Sequence, residues 1–238
     1  MSEAEEVSGR ANADDRFASL LESAARLQAR VPDMVLVGGS AAAIYAGHRH
    51  SLDHDHVLAD LSQRYQAVLE AVEASDDWAT SIKGVPPLTI LGMEAGYEAG
   101  IRQLRRTRPL ETEQLTLPSG ARLTVPTEAE ITRIKAYLVV QRSAVRDYLD
   151  LAALARHQGL ARAAAVLVRI DSYYCELTKT DQAVSTVLAE RLAAPAPRDT
   201  RTLAQLPHYK GLDATWHDWE AVRATLRDLA HEMLRAAA

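Results

Sequence analysis

Gly38-Gly39-Ser40-Ala41-Ala42-Ala43-Ile44-Tyr45-Ala46-Gly47-His48-Arg49-His50-Ser51-Leu52-Asp53-His54-Asp55-His56 is the stretch whose reading decides what this chain is. The apolar run Met34-Val35-Leu36-Val37 before it has the form of a buried strand entering a tight turn, and residues 40–45 after the glycines read as a short helix. A second strand is expected from Ser51 to Val57, and since side chains alternate along a strand, Asp53 and Asp55 point the same way. The composite is strand, glycine turn, helix, then a strand bearing two carboxylates. Gly38 and Gly39 let the backbone approach a ligand closely, the start of the following helix offers amide donors at a positive dipole end suited to phosphate oxygens, and Ser40 adds a hydroxyl. Two carboxylates on one face repel unless a cation lies between them, and paired Mg²⁺ ions roughly 3.5–4 Å apart are a common arrangement for in-line phosphoryl chemistry. Either fragment alone reads as a plain turn or a solvated edge strand; the two at this spacing carry the assignment.

Working outward, residues 14–31 place Phe17, Leu20, Leu21, Ala24 and Leu27 at helical spacing, with Pro32 closing the helix. Residues 61–74 form another amphipathic helix, and 78–82 and 88–91 read as strands. Segments 110–117 and 121–125 flank Pro118-Ser119-Gly120, the chemistry of a hairpin turn. Thr127-x-x-Glu130 is a capping box opening a helix to about Arg142. Beyond it nearly everything has helical periodicity, with helices at 145–157, 161–178 and 181–192, a Pro- and Gly-containing connector at 194–212, and a last helix from Ala214 carrying Trp219, Val222, Leu226, Leu229 and Met233 on one stripe. The expected organisation is α+β: a flexible tail over residues 1–13, a core domain over 14–126 with a small mixed sheet flanked by helices, and a helical domain over 127–238.

At 238 residues and 47% hydrophobic composition the chain can bury a full core. The lone Cys175 excludes an internal disulfide framework and fits a reducing cytoplasm, and no signal peptide or apolar run long enough to span a membrane is evident, so a cytoplasmic location is expected. With 27 basic against 32 acidic residues the net charge is −5, so any nucleic-acid partner must be met by a local patch. The run Arg102, Arg105, Arg106 and Arg108 is the candidate patch: ordinarily a solvated face, beside a nucleotide site it could receive an RNA backbone.

Residues 38–56, as quoted, resemble the motif of nucleotidyltransferases of the DNA polymerase β type. More narrowly, Lys135, Arg142, Arg146-Asp147 and Asp150 resemble the lysine helix and R-D-x-x-D helix of the AbiEii/AbiGii (MenT-like) toxin branch, so that the resemblance spans roughly residues 34–154. It implies a polymerase β-like nucleotidyltransferase domain followed by helices, with Mg²⁺ or Mn²⁺ held by Asp53 and Asp55 and a nucleoside triphosphate as substrate. Gly38, Gly39, Ser40, Ser51 and Lys135 would bind the nucleotide, and Asp147 would assist the acceptor hydroxyl. It also implies tRNA as acceptor, a translation-blocking role and a cognate antitoxin. Transfer to a protein or a small antibiotic, or nucleotide binding without turnover, are the alternative readings.

The residues themselves set further expectations. Lys135 falls inside the apolar stripe of Ile131, Ile134, Leu138 and Val139, so its stem snorkels to water or its ammonium meets a phosphate or carboxylate. Arg146 and Asp150, at i and i+4, read as a surface ion pair. The wider superfamily often carries a third metal-binding carboxylate on a neighbouring strand; the candidate strand, 88–91, has none, leaving Glu94, Glu111, Glu113 or Asp147 as substitutes. His48, His50, His54 and His56 occupy a short stretch where zinc binding is conceivable and ordinary hydrogen bonding is the favoured reading.

Overall fold

The computed structural model describes residues 3–174, 182–209 and 211–238. The chain divides into two compact units, Met1–Ala41 with His50–Pro126 and Ala42–Arg49 with Thr127–Ala238.

In the first unit, α1 (Glu3–Arg30) begins well before the expected Asp14, taking in most of the segment read as a flexible tail. Strands β1 (Val35–Val37), β2 (Asp53–Leu58), β3 (Trp78–Thr80), β4 (Thr89–Glu94) and β5 (Tyr97–Gln103) form a mixed sheet in the order β1-β2-β5-β4-β3. β2 and β5 run parallel, and the other pairings are antiparallel. β5 was not anticipated. Its sequence, Tyr-Glu-Ala-Gly-Ile-Arg-Gln, mixes charge with glycine and lacks an apolar run, yet it lies between β2 and β4. It is delivered there by a two-residue turn in which Ala95 and Gly96 both have positive φ, 50° and 86°, the geometry that matches a hairpin's twist. Helix α2 (Gly38–Ala46) follows β1, and α3 (Leu61–Glu73) sends Leu61, Val68 and Val72 into a core with Leu27, Met34, Leu58, Ile90 and Ile101. The expected hairpin is present as β6 (Thr112–Thr116) and β7 (Arg122–Pro126).

β2 alternates half-buried and buried residues along its whole length. Asp53 and Asp55 share the partly open face, whereas His54 and His56 sit fully inside, where apolar residues are usual. One chain of neutral hydrogen bonds accommodates them. The Ser23 hydroxyl donates to the Glu94 carbonyl at 3.2 Å and so accepts from His54 Nε2 at 3.3 Å; His54 Nδ1 accepts from His56 Nε2 at 3.0 Å; His56 Nδ1 accepts from the Gln28 amide at 3.4 Å. Gln28 in turn pairs with both backbone groups of Thr124, at 2.8 and 2.9 Å. The two histidines of β2 are thus structural groups joining α1 to β2, β4 and β7.

The second unit is helical: α4 (Glu128–Arg142), α5 (Val145–Gln158), α6 (Leu160–Leu167), α7 (Asp171–Tyr174), α8 (Val184–Ala193), α9 (Thr200–Gln205) and α10 (Trp219–Ala237). Thr127 caps α4 by accepting from the Glu130 amide at 3.3 Å. The helix expected over 161–178 is broken between α6 and α7, and residues 175–178 lie outside the described residues, as does Asp181 at the start of the next expected helix. The connector expected at 194–212 contains the short helix α9. α10 buries Val222, Leu226, Leu229 and Met233 of the expected stripe against α5, α6 and α8, while Trp219 is half-buried. Residues 42–49 belong here through a bridge from Arg49 to Leu212 and a bond from the Asp213 amide to the His48 carbonyl at 2.8 Å.

Burial pushes His54 from 6.5 down to about 4 and His56 well below its ordinary value, so the folded chain takes up these protons less readily than the unfolded one. The stability this represents is complete above pH 6.5 and is lost as pH falls toward 4, by roughly 3 kcal/mol from His54 alone. Urea unfolding should therefore show stability dropping between pH 6.5 and 4.5, and His54→Leu should flatten that dependence.

Candidate active site

Antiparallel pairing of β1 with β2 sets Val37 directly opposite Asp55, so the residue after it, Gly38, turns the chain into α2 beside that carboxylate. Gly38 has φ +76°, a conformation that disfavours any side chain, and a Cβ there would lie 3.5 Å from Asp55 Oδ2. On the other side, parallel pairing with β5 sets Gly100 opposite Asp55 and Glu98 opposite Asp53. A Cβ at Gly100 would stand 2.5 Å from Asp55 Oδ1, so any side chain there forces the Asp55 carboxylate to shift. Asp55 is therefore seated between two glycines, with its carboxylate lying over β5.

Both aspartates are half-buried and share one face, as alternation requires. The two serines assigned to the nucleotide serve this pair. Ser40, 1% exposed, donates its hydroxyl to the Asp53 backbone carbonyl at 2.6 Å, which ties the first turn of α2 to β2. Ser51 donates to Asp53 Oδ1 at 2.9 Å and so orients that carboxylate. The hydroxyl donor expected from Ser40 for a phosphate is thus spent on the backbone.

The search for a third acid falls on a different strand from the expected one. The neighbour of β2 is β5, not the strand at 88–91; there glycine faces Asp55 and the exposed Glu98 faces Asp53. Glu94 is fully buried and paired with Arg30, which excludes it as a substitute ligand. Glu113 stands on the separate β6–β7 hairpin. Among the described residues no group of three His, Cys, Asp or Glu side chains is placed to hold a metal ion. Two carboxylates on one open face still fit Mg²⁺ or Mn²⁺, since such ions keep water ligands and commonly bind through one or two carboxylates together with substrate phosphates.

The arginine run separates into distinct roles. Arg102 lies on β5 with Nε 3.4 Å from Asp55 Oδ1. Arg106 is 4% exposed and donates to the carbonyls of Arg108 and Pro109 at 2.9 and 3.0 Å, so it braces its own loop and is removed from the candidate RNA contacts. Arg105 and Arg108 are exposed. Nothing in the sequence marks which arginine folds inward.

In the second unit, Asp150 is the centre of a buried ionic cluster, contrary to the surface pair expected with Arg146. Arg146 is exposed, whereas α5 presents Asp150 to the interior, where it meets residues distant in sequence. Asp150 Oδ1 accepts from Arg49 Nε and His48 Nε2, each at 2.7 Å, and Oδ2 from Arg49 Nη2 at 3.1 Å and Lys135 Nζ at 2.6 Å. Burial by itself would raise the Asp150 carboxyl, but Arg49, Lys135 and His48 overcome it and hold it well below the usual range. Burial keeps the His48 imidazole below its ordinary value despite Asp150, so it donates as a neutral ring. Of the two fates expected for Lys135, the carboxylate is the observed one: the side chain is buried, with Asp147 as a more distant partner at 3.8 Å. Asp147, also fully buried, takes Arg142 through Nε at 2.5 Å and Nη2 at 2.9 Å. The four-histidine stretch is therefore divided, with His48 serving this cluster, His54 and His56 the first unit's interior, and His50 near Asp14 at 3.9 Å.

No family model matches the chain. Over 134 residues, 56% of its length, it is 37% identical to the mycolic acid-containing lipids exporter MmpL11 of Mycolicibacterium smegmatis, but the match spans only 14% of that protein. Among the described residues no helix is long and apolar enough to cross a membrane. Two solved structures are similar across nearly the whole chain. One is MenT4, a nucleotidyltransferase toxin of Mycobacterium tuberculosis, with TM-score 0.60 and 16% identity over 92% of this chain and 82% of that one. The other is a putative nucleotidyltransferase from H. pylori, with TM-score 0.51 and 17% identity over 93% of this chain and 95% of that one.

Two substitutions separate the roles of these groups. Asp150→Ala strands Arg49 and Lys135 in the interior and should cost about 3–5 kcal/mol in urea unfolding, whereas Asp53→Ala should change stability by no more than roughly 1 kcal/mol. Gly100→Ala should cost about 1–3 kcal/mol through overpacking against Asp55. With the glycine-flanked carboxylates on β2, the mixed sheet and the helices that follow, the chain has the nucleotidyltransferase fold.

Proposed function

We propose that this chain is a divalent-cation-dependent nucleotidyltransferase that moves a nucleoside monophosphate from a nucleoside triphosphate to an acceptor hydroxyl. The observation that carries the reading is the pair Asp53 and Asp55 on one open face of β2, with the glycine bend of β1–α2 held beside Asp55 by strand register. Asp53, oriented by Ser51, and Asp55, seated between Gly38 and Gly100, are the residues that would hold Mg²⁺ or Mn²⁺. The bound cation would neutralise triphosphate charge. The acceptor oxygen attacks the α-phosphorus, the bond to the bridging oxygen breaks, pyrophosphate departs, and the hydroxyl proton passes to a base. Backbone amides at Gly38 and Gly39 are suited to phosphate oxygens, and catalysis rests on alignment and charge neutralisation.

The motif resemblance assigns Lys135 to the triphosphate and Asp147 to the acceptor hydroxyl. Both are buried in the second unit, Lys135 on Asp150 and Asp147 on Arg142, so each of these roles requires its ion pair to open. A tRNA acceptor and a toxin role in a toxin–antitoxin pair follow from the same resemblance, and the likeness in fold to the toxin MenT4 supports that direction. Arg105 and Arg108 are exposed members of the basic run, with Arg102 turned to Asp55, and would meet an RNA backbone. A non-catalytic nucleotide-binding module is the second reading, favoured by glycine in place of an acid opposite Asp55.

Incubation with Mg²⁺ or Mn²⁺, each α-labelled nucleoside triphosphate and total RNA tests the proposal. Label should enter the tRNA fraction, Asp53→Ala/Asp55→Ala should lower transfer by roughly 10²–10³-fold or more, and Lys135→Ala should lower it comparably. Charge reversal at Arg105 and Arg108 should reduce transfer to tRNA; intact transfer would remove RNA as acceptor. Retained nucleotide binding without any labelled product would establish the second reading.

A further inference from the structure

We propose that Arg102 is an exchangeable counter-ion of Asp55: its guanidinium holds that carboxylate when no cation is bound, and passes to a phosphate oxygen of the nucleotide when a divalent cation takes its place. The inference rests on the nucleotidyltransferase reading of the Asp53–Asp55 face.

Three observations converge on Arg102. First, it lies two residues beyond Gly100 on β5, so alternation puts it on the side of the sheet that carries Asp55. Second, the volume above Gly100 is filled by Asp55 Oδ1, so the Asp55 carboxylate leans over β5 and comes within 3.4 Å of Arg102 Nε. Third, the contact is loose. It runs through one nitrogen, and the arginine side chain is 49% exposed and the aspartate 33%.

That looseness distinguishes Arg102 from the arginines around it. Arg106 is buried on two carbonyls, Arg30 is locked to the buried Glu94, and Arg64 pairs with Asp60 at 2.8 Å within a helical turn. An exposed single-nitrogen pair contributes little stability, so a doubly charged ion coordinated at Asp55 displaces it. Two cations at one carboxylate repel, and the released guanidinium then seeks an anion. Its planar fork matches phosphate oxygens, and a triphosphate arriving with the cation carries them. The arginine would keep Asp53 and Asp55 from repelling while the site is empty, and would bind substrate once it is filled.

Mn²⁺ binding, followed by electron paramagnetic resonance, and binding of α,β-methylene triphosphate analogues, followed by calorimetry, test this on the full chain. Arg102→Gln should tighten Mn²⁺ binding about tenfold without nucleotide, yet weaken analogue binding about tenfold with Mn²⁺ present. Arg102→Lys should leave Mn²⁺ affinity within about twofold of wild type but still weaken the analogue, because charge remains and the fork is lost. Arg122→Gln, at an exposed position of β7, should match wild type in both, and thermal unfolding checks that each variant is folded. Arg102→Gln lying within about twofold of wild type in both measurements overturns the proposal and leaves the reading of the site intact. Mn²⁺ binding that is undetectable, or undiminished in Asp53→Ala/Asp55→Ala, overturns the reading and the proposal together.

Discussion

The seating of a single carboxylate organises the first unit. Gly38, at φ +76°, lets β1 turn away beside the Asp55 carboxylate, and Gly100 leaves the room for that carboxylate to lie over β5. A Cβ at the second position would overlap the carboxylate oxygen. Once those two positions are glycine, strand register does the rest, since pairing by backbone hydrogen bonds leaves no freedom in which residues face one another. The paired acids, the phosphate-suited bend and the arginine beside Asp55 are all consequences of how β1, β2 and β5 align.

Each unit also carries buried polar groups that would be costly if left unsatisfied. In the first, two histidines are accepted inside because one consistent set of tautomers links Ser23, His54, His56 and Gln28 without placing a charge in the core. In the second, Asp150 remains ionised against its burial because Arg49, Lys135 and His48 all point at it. Such clusters contribute modest net stability but are severe when broken, which makes them effective at fixing the orientation of the side chains they contain. Lys135 and Asp147, the residues assigned to catalysis by resemblance, are held in this way rather than by loops.

The sequence made the mixed fold, the β6–β7 hairpin and the shared face of Asp53 and Asp55 legible, because each depends on periodicity or on turn chemistry within a few residues. It misled where a residue's role depends on a partner far along the chain. Arg146 and Asp150 look like a surface pair by spacing alone, yet Asp150 is claimed by Arg49, about a hundred residues earlier in the chain. β5 escaped notice because its residues are not those of a buried strand; its place between β2 and β4 comes from the partners on either side, and the search for a third acid went to the wrong strand as a result. The four histidines read as one cluster in sequence, but His48 belongs to one hydrogen-bonded interior, His54 and His56 to another, and His50 lies near Asp14.

By itself, then, the sequence determined that two acids one residue apart would face the same way after a glycine turn, because strand alternation is a local property of the backbone. Which groups stand beside those acids was decided only by tertiary structure. The register that brings Gly100 and Arg102 to Asp55, and the packing that brings Lys135 to Asp150, are fixed by contacts between segments far apart in the chain, and no local pattern encodes them.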